Sequence, residues 1–150
     1  MLFRSSLLSG NQESILSDSS SSSEGILALS DPDGFIHYPY GERECASCHN
    51  EQALGSMLVA QPGLCYICHE DLSTQFSYLH GPVAGGYCTA CHDPHRSENE
   101  KLLKRTGEVL CYYCHESKSV LANEMHADLE GMLCMDCHNP HGGEDKYIFQ

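Results

Sequence analysis

The chain has no tryptophan, and only eight lysines and arginines stand against twenty-one aspartates and glutamates. A formal charge of −13 excludes a protein built to neutralise nucleic-acid phosphates, which needs clustered basic side chains. No run of eighteen or more apolar residues occurs, so no transmembrane helix is encoded in this chain. Apolar residues make up only 41% of the 150, and no stretch alternates convincingly as a strand would. The first ten residues, Met1 to Gly10, also lack the continuous apolar stretch of an export signal.

Cysteine and histidine are abundant instead, with ten of each. That cysteine content is high, yet below the density of a small disulfide scaffold. Every cysteine falls in a Cys-x-x-Cys pair, and each pair is followed at once by histidine: Cys45–His49, Cys65–His69, Cys88–His92, Cys111–His115 and Cys134–His138. C-x-x-C-H is the attachment signature of c-type haem. Two thiols on one turn form thioethers with the haem vinyl groups, and the adjacent histidine lies beneath the iron. A single Cys-x-x-Cys reads equally as a redox disulfide or half a zinc site. With histidine this scarce, however, five chance placements behind five pairs have odds of about one in a million. Four-cysteine zinc or iron–sulfur sites would use the pairs two at a time and leave the fifth stranded. The expected cofactors are five haem c groups with their iron. Their thioethers form on Cys45, Cys48, Cys65, Cys68, Cys88, Cys91, Cys111, Cys114, Cys134 and Cys137, and their proximal ligands are His49, His69, His92, His115 and His138.

Five histidines remain: His37, His80, His95, His126 and His141. His37, His80 and His126 each stand eight residues before the first cysteine of a motif, while His95 and His141 each close a Cys-His-x-Pro-His sequence. These are the expected distal ligands, one per iron. Met57, Met125, Met132 and Met135 are rivals that would raise the potential. The histidine count leaves them no vacancy, so they read as packing. His95 and His141 lie too close to their own proximal ligands and should reach a neighbouring haem. His80 is expected to loop over the haem of His69, and His126 over that of His115. Tyr66, Tyr87, Tyr112 and Tyr113 beside the cysteines read as packing on porphyrin, with radical relay the lesser alternative.

Residues 64–97 and 110–143 align without a gap, and 37–52 matches as a half unit in which Gln52 stands where the repeats have His95 and His141. A short internal period implies similar units sharing one core. The segment from His80 to His95, His-Gly-Pro-Val-Ala-Gly-Gly-Tyr-Cys-Thr-Ala-Cys-His-Asp-Pro-His, and its second copy ending at His141 resemble the doubled-CXXCH multihaem c-type cytochromes. The resemblance spans about residues 35–145. It implies a periplasmic or extracellular electron carrier with closely packed bis-His haems. The second copy departs from the pattern with Ala127-Asp128 in place of Gly81-Pro82, which affects the turn there.

So little polypeptide per haem cannot bury an ordinary core. The expected fold is mostly loop with short α-helices and little or no β-sheet, a multihaem cytochrome whose covalent haems form the core. Helices are expected at Asn50–Leu58, Asp71–Leu79, Lys101–Leu103 and Lys118–Met125. Residues 1–33, with the serine run Ser19–Ser23, read as an arm or linker ahead of a haem domain at 34–150. Gly25–Ser30 is the segment expected to dock on a neighbouring subunit.

Six-coordinate iron has no open position, so the expected function is electron transfer and not catalysis. The first elaboration is a subunit of a haem wire, filament or larger complex; the second is a freely diffusing shuttle. A multihaem reductase with one open iron and a zinc-binding scaffold are the readings from other classes. Partners are redox proteins or copies of the chain itself, with no nucleic acid. An acidic surface favours basic docking faces, or serves solubility alone. Covalent haem attachment implies export, although no leader is visible and every cysteine already belongs to a haem motif, leaving none for a lipid anchor.

Overall fold

The computed structural model describes residues 29–31, 34–53, 55–129 and 131–150. Its basic piece is one turn. In each of the five motifs the histidine N–H donates to the carbonyl of the first cysteine, at 2.8–3.1 Å. This bond puts both thiols and the imidazole on the same turn. What leads into the turn then decides its form. Leu64, Val109 and Leu110 allow two motifs to begin inside α-helices, α2 (Gly63–Tyr66) and α4 (Glu108–Tyr112). The other three follow residues with left-handed φ, Arg43 at 60°, Gly86 at 73° and Gly131 at 79°. Such residues interrupt a right-handed helix. These motifs therefore start as 3₁₀ turns over Cys45–Ser47, Cys88–Ala90 and Cys134–Asp136.

The three 3₁₀ motifs share a second feature. The chain leaves each proximal histidine, turns, and returns to pair with it: His49 with Met57, His92 with Leu103, His138 with Phe149. An Asx turn begins each excursion. Asn50, Asp93 and Asn139 accept through their side chains from the N–H groups of Gln52, His95 and His141, at 2.9, 2.9 and 3.0 Å.

Short strands connect the units. β1 (Leu29–Asp31) and β2 (Gly34–Ile36) form a hairpin, and β2 also pairs with β4 (Arg96–Ser97). β3 (Tyr78–Leu79) pairs with β5 (Gly142–Gly143) in the same way. Each strand ahead of a non-motif histidine thus binds the segment just past a Cys-His-x-Pro-His of the next unit. His37 and His80 then lead into α1 (Tyr38–Gly41) and α3 (Gly81–Ala84). Pro39 and Pro82 lie in the first turns, where proline pre-sets φ.

The architecture is mostly loop, with short helices, 3₁₀ turns and very small sheets, as composition implied. Four helix expectations need correction. Residues 50–58 form a turn and not a helix, because the Asn50 Asx turn and Gly55 at φ 95° fold the chain back on itself. Asp71–Leu79 reduces to a 3₁₀ turn, Leu72–Thr74, capped by the Asp71 carboxylate, before the chain extends into β3. The helix expected at Lys118–Met125 is α5 (Ser117–Leu121), which stops ahead of Asn123; the Asn123 side chain caps a separate 3₁₀ turn over Glu124–His126. Lys101 and Leu102 carry positive φ inside their 3₁₀ turn. Of the stretch read as an arm, β1 lies in the sheet, while residues 1–28 and 32–33, including most of the proposed docking segment, lie outside the described residues.

Among the described residues Leu102 is the only buried large apolar side chain, whereas Ile67, Tyr87, Val109, Tyr113 and Met125 are 60–78% exposed. No described helix is long and apolar enough to cross a membrane. The strand contacts demand small residues: a Cβ on Gly142 would lie 2.5 Å from the Tyr78 carbonyl oxygen and 2.9 Å from Phe76. Gly142→Ala is expected to cost about 1–3 kcal/mol, as overpacking does. Gly63→Ala, with nothing within 4 Å, should cost nothing. Equal thermal shifts of the two holoprotein variants would refute the assignment.

Candidate functional site

The ten histidines come together in five pairs, each joining one motif histidine to one from outside the motifs. The ring centres are 6.0 Å apart in His37–His69, His49–His95 and His80–His115, 6.1 Å in His92–His141 and 6.2 Å in His126–His138. The first four pairs are near-parallel, with interplanar angles of 15–26°, and the fifth is tilted by 44°. Two imidazoles bonded to one metal at about 2 Å on opposite sides place their ring centres about 6 Å apart. The spacing matches that requirement.

In four of the ten rings a backbone hydrogen bond fixes which nitrogen is free. The Nδ1–H groups of His37 and His80 donate to the carbonyls of Pro94 and Pro140 at 2.9 Å, and those of His92 and His138 to Lys101 and Tyr147 at 2.8 Å. A carbonyl can only accept, so Nδ1 carries the proton and Nε2 keeps its lone pair for a metal. Burial, with the neighbouring histidines adding to it, lowers the pKa of His69 and His141, which also favours the neutral, ligating form. His95 and His141 do face neighbouring motifs, as their offsets implied. His80 and His126 are placed differently from expectation. The ring of His80 lies against His115 and not His69, because β3–β5 pairing carries it to the next unit. His126 lies against His138 and not His115.

The thiols also run in order. Burial, reinforced by the adjacent thiols of Cys88 and Cys134, pushes Cys65 and Cys111 up to about 11. Cys48 is raised by burial and by Cys68. Cys91 also acts on Cys111. Each motif is therefore close to its successor in the sequence. All ten cysteines are free of disulfides. Among the described residues no three Cys, His, Asp or Glu side chains converge on a possible metal position. A structural zinc centre takes four protein ligands, whereas a porphyrin supplies four of iron's ligands and asks the protein for two. The exposed apolar side chains around the motifs supply the packing surface that a flat macrocycle needs.

Single-turn thiol–imidazole sites, repeated along a chain whose described residues build no apolar core, define a haem c-binding protein. More specifically, the chain belongs to the doubled CXXCH motif family, which matches residues 37–74 and 80–120. The motif Cys134–His138 lies beyond the matched residues. No curated protein and no solved structure matches the chain. The family motif points to haem c binding and electron transfer. Replacing Cys111 and Cys114 together by serine is expected to lower the intact mass of the holoprotein by one haem under denaturing conditions. An unchanged haem content would exclude that motif as an attachment site.

Proposed function

We propose that the chain carries five haem c groups, each iron held between a motif histidine and its 6 Å partner, and that it conducts electrons outside the cytoplasm. The observation that carries this reading is the set of five ring pairs, which uses all ten histidines once. Bound haem supplies one-electron exchange between Fe(III) and Fe(II). The residues do the rest. His49, His69, His92, His115 and His138 bind from the motif side, and His95, His37, His141, His80 and His126 close the opposite side. The cysteine order, motif beside successive motif, supports a serial relay along the chain.

Two imidazoles per iron leave no substrate position, which supports a carrier over an enzyme. Imidazole pairs and an acidic chain of charge −13 both favour Fe(III), so low potentials are expected. Partners are redox proteins that present basic faces, with association weakening as salt rises. A subunit of a larger exported complex or haem wire is the role we favour, since a relay with an entry and an exit suits transit between partners. A freely diffusing shuttle is the second reading; closure of every histidine pair within one chain favours it.

The test is to count haem in the exported holoprotein and record its oxidised spin state. Five covalent haems per chain, all low-spin, are expected. His80→Ala should turn about one haem in five high-spin and leave the count unchanged. Fewer than five haems, or a wholly low-spin His80→Ala variant, would contradict the assignment.

A further inference from the structure

His126 differs from its two counterparts in the repeat in three respects, and its Nδ1 alone among the described side-chain nitrogen and oxygen atoms is buried without a partner. His37 and His80 are the counterparts of His126 in the repeat, and each anchors its Nδ1–H on a proline carbonyl of the following unit. The Nδ1 of His126 is buried and has no hydrogen-bond partner. Its ring is tilted 44° from that of His138, against 15° in both counterpart pairs. Its backbone setting differs too. His37 and His80 sit at the end of paired strands, their own N–H groups bonded to the carbonyls of His95 and His141. His126 instead ends a three-residue 3₁₀ turn, its N–H bonded to Asn123 within that turn.

The pair also frames a cleft, the one that the proposed macrocycle would occupy. His126 and His138 line it together with Asn123, Met125, Tyr147 and Phe149. Phe149 stacks 4.9 Å from the His138 ring at 16°, and His138 keeps its own Nδ1 bond to the Tyr147 carbonyl. Of the two rings His138 is anchored, whereas the unanchored Nδ1 of His126 is also shut off from solvent. Outer hydrogen bonds orient a ligating histidine and raise its basicity, and losing one typically weakens metal affinity 10–100-fold.

We propose that His126 is a displaceable ligand, so that the iron position opposite His138 admits a small exogenous ligand while the other four stay closed. Carbon monoxide on the ferrous form and cyanide or imidazole on the ferric form are the ligand class, since each donates one lone pair along the axis that His126 vacates. The exchange is a ligand substitution without net oxidation: the Nε2 bond of His126 breaks and the incoming bond forms. This inference rests on the bis-His reading above and adds to it a binding site.

The experiment is carbon monoxide titration of the reduced, fully loaded protein, followed in the Soret band. Wild type should bind about one carbon monoxide per chain. A Met125→Leu, His126→Ala double variant, which also removes the adjacent thioether as a substitute ligand, should still bind one, at least tenfold faster. His80→Ala should bind two. Failure of wild type to bind any, or two sites in the double variant, would overturn the proposal. The bis-His reading is judged separately by the spectrum before gas is added. A high-spin centre at that stage would strike that reading, whereas five low-spin centres that ignore carbon monoxide would strike only the role given to His126.

Discussion

Two imidazole rings held about 6 Å apart, with free lone pairs between them, are the constraint the rest of this structure serves. A motif histidine is fixed by its own turn, but its partner must come from another part of the chain and arrive with the correct nitrogen forward. Most of the identifiable backbone structure bears on that delivery. The strand pairs β2–β4 and β3–β5 bring His37 and His80 to the following unit, and proline carbonyls there lock their tautomers. Asx turns at Asp93 and Asn139 bend the chain so that His95 and His141 reach back to the preceding unit.

Delivery in both directions interlocks the units. Residues 80–95 send one histidine forward to His115 and one back to His49. A chain with a single buried large apolar side chain among its described residues gains little cohesion from ordinary packing. Under the proposed ligation each iron joins two segments, and metal-binding free energy becomes folding free energy. The pattern is relaxed at two places. Gln52 stands in the first unit where the repeats have the backward histidine. His126, forward-facing by its position in the repeat, turns back onto His138 of its own unit.

The sequence made the inventory legible because motif chemistry is local: each CxxCH is one turn, and spacing alone defines it. The ten ligand candidates and the scarcity of regular structure follow from composition and repeat. The partner of each histidine was harder, because it depends on long-range pairing. His80 lies close to His69 along the chain, yet strand β3 binds Gly142–Gly143 and carries it to His115. Nothing in a two-residue strand such as Tyr78–Leu79 announces its partner. Three of the four overestimated helices share one cause: Asn50, Asp71 and Asn123 cap tight turns with their side chains, and periodicity does not register that competition.

The central claim is that ligands are exchanged between units. It is tested most directly by the experimental structure of the haem-loaded protein, read for which two histidines lie on each iron. The account predicts His37 with His69, His80 with His115, His49 with His95, His92 with His141 and His126 with His138. An iron between His69 and His80, or one ligated by Met57, Met125, Met132 or Met135, would contradict it.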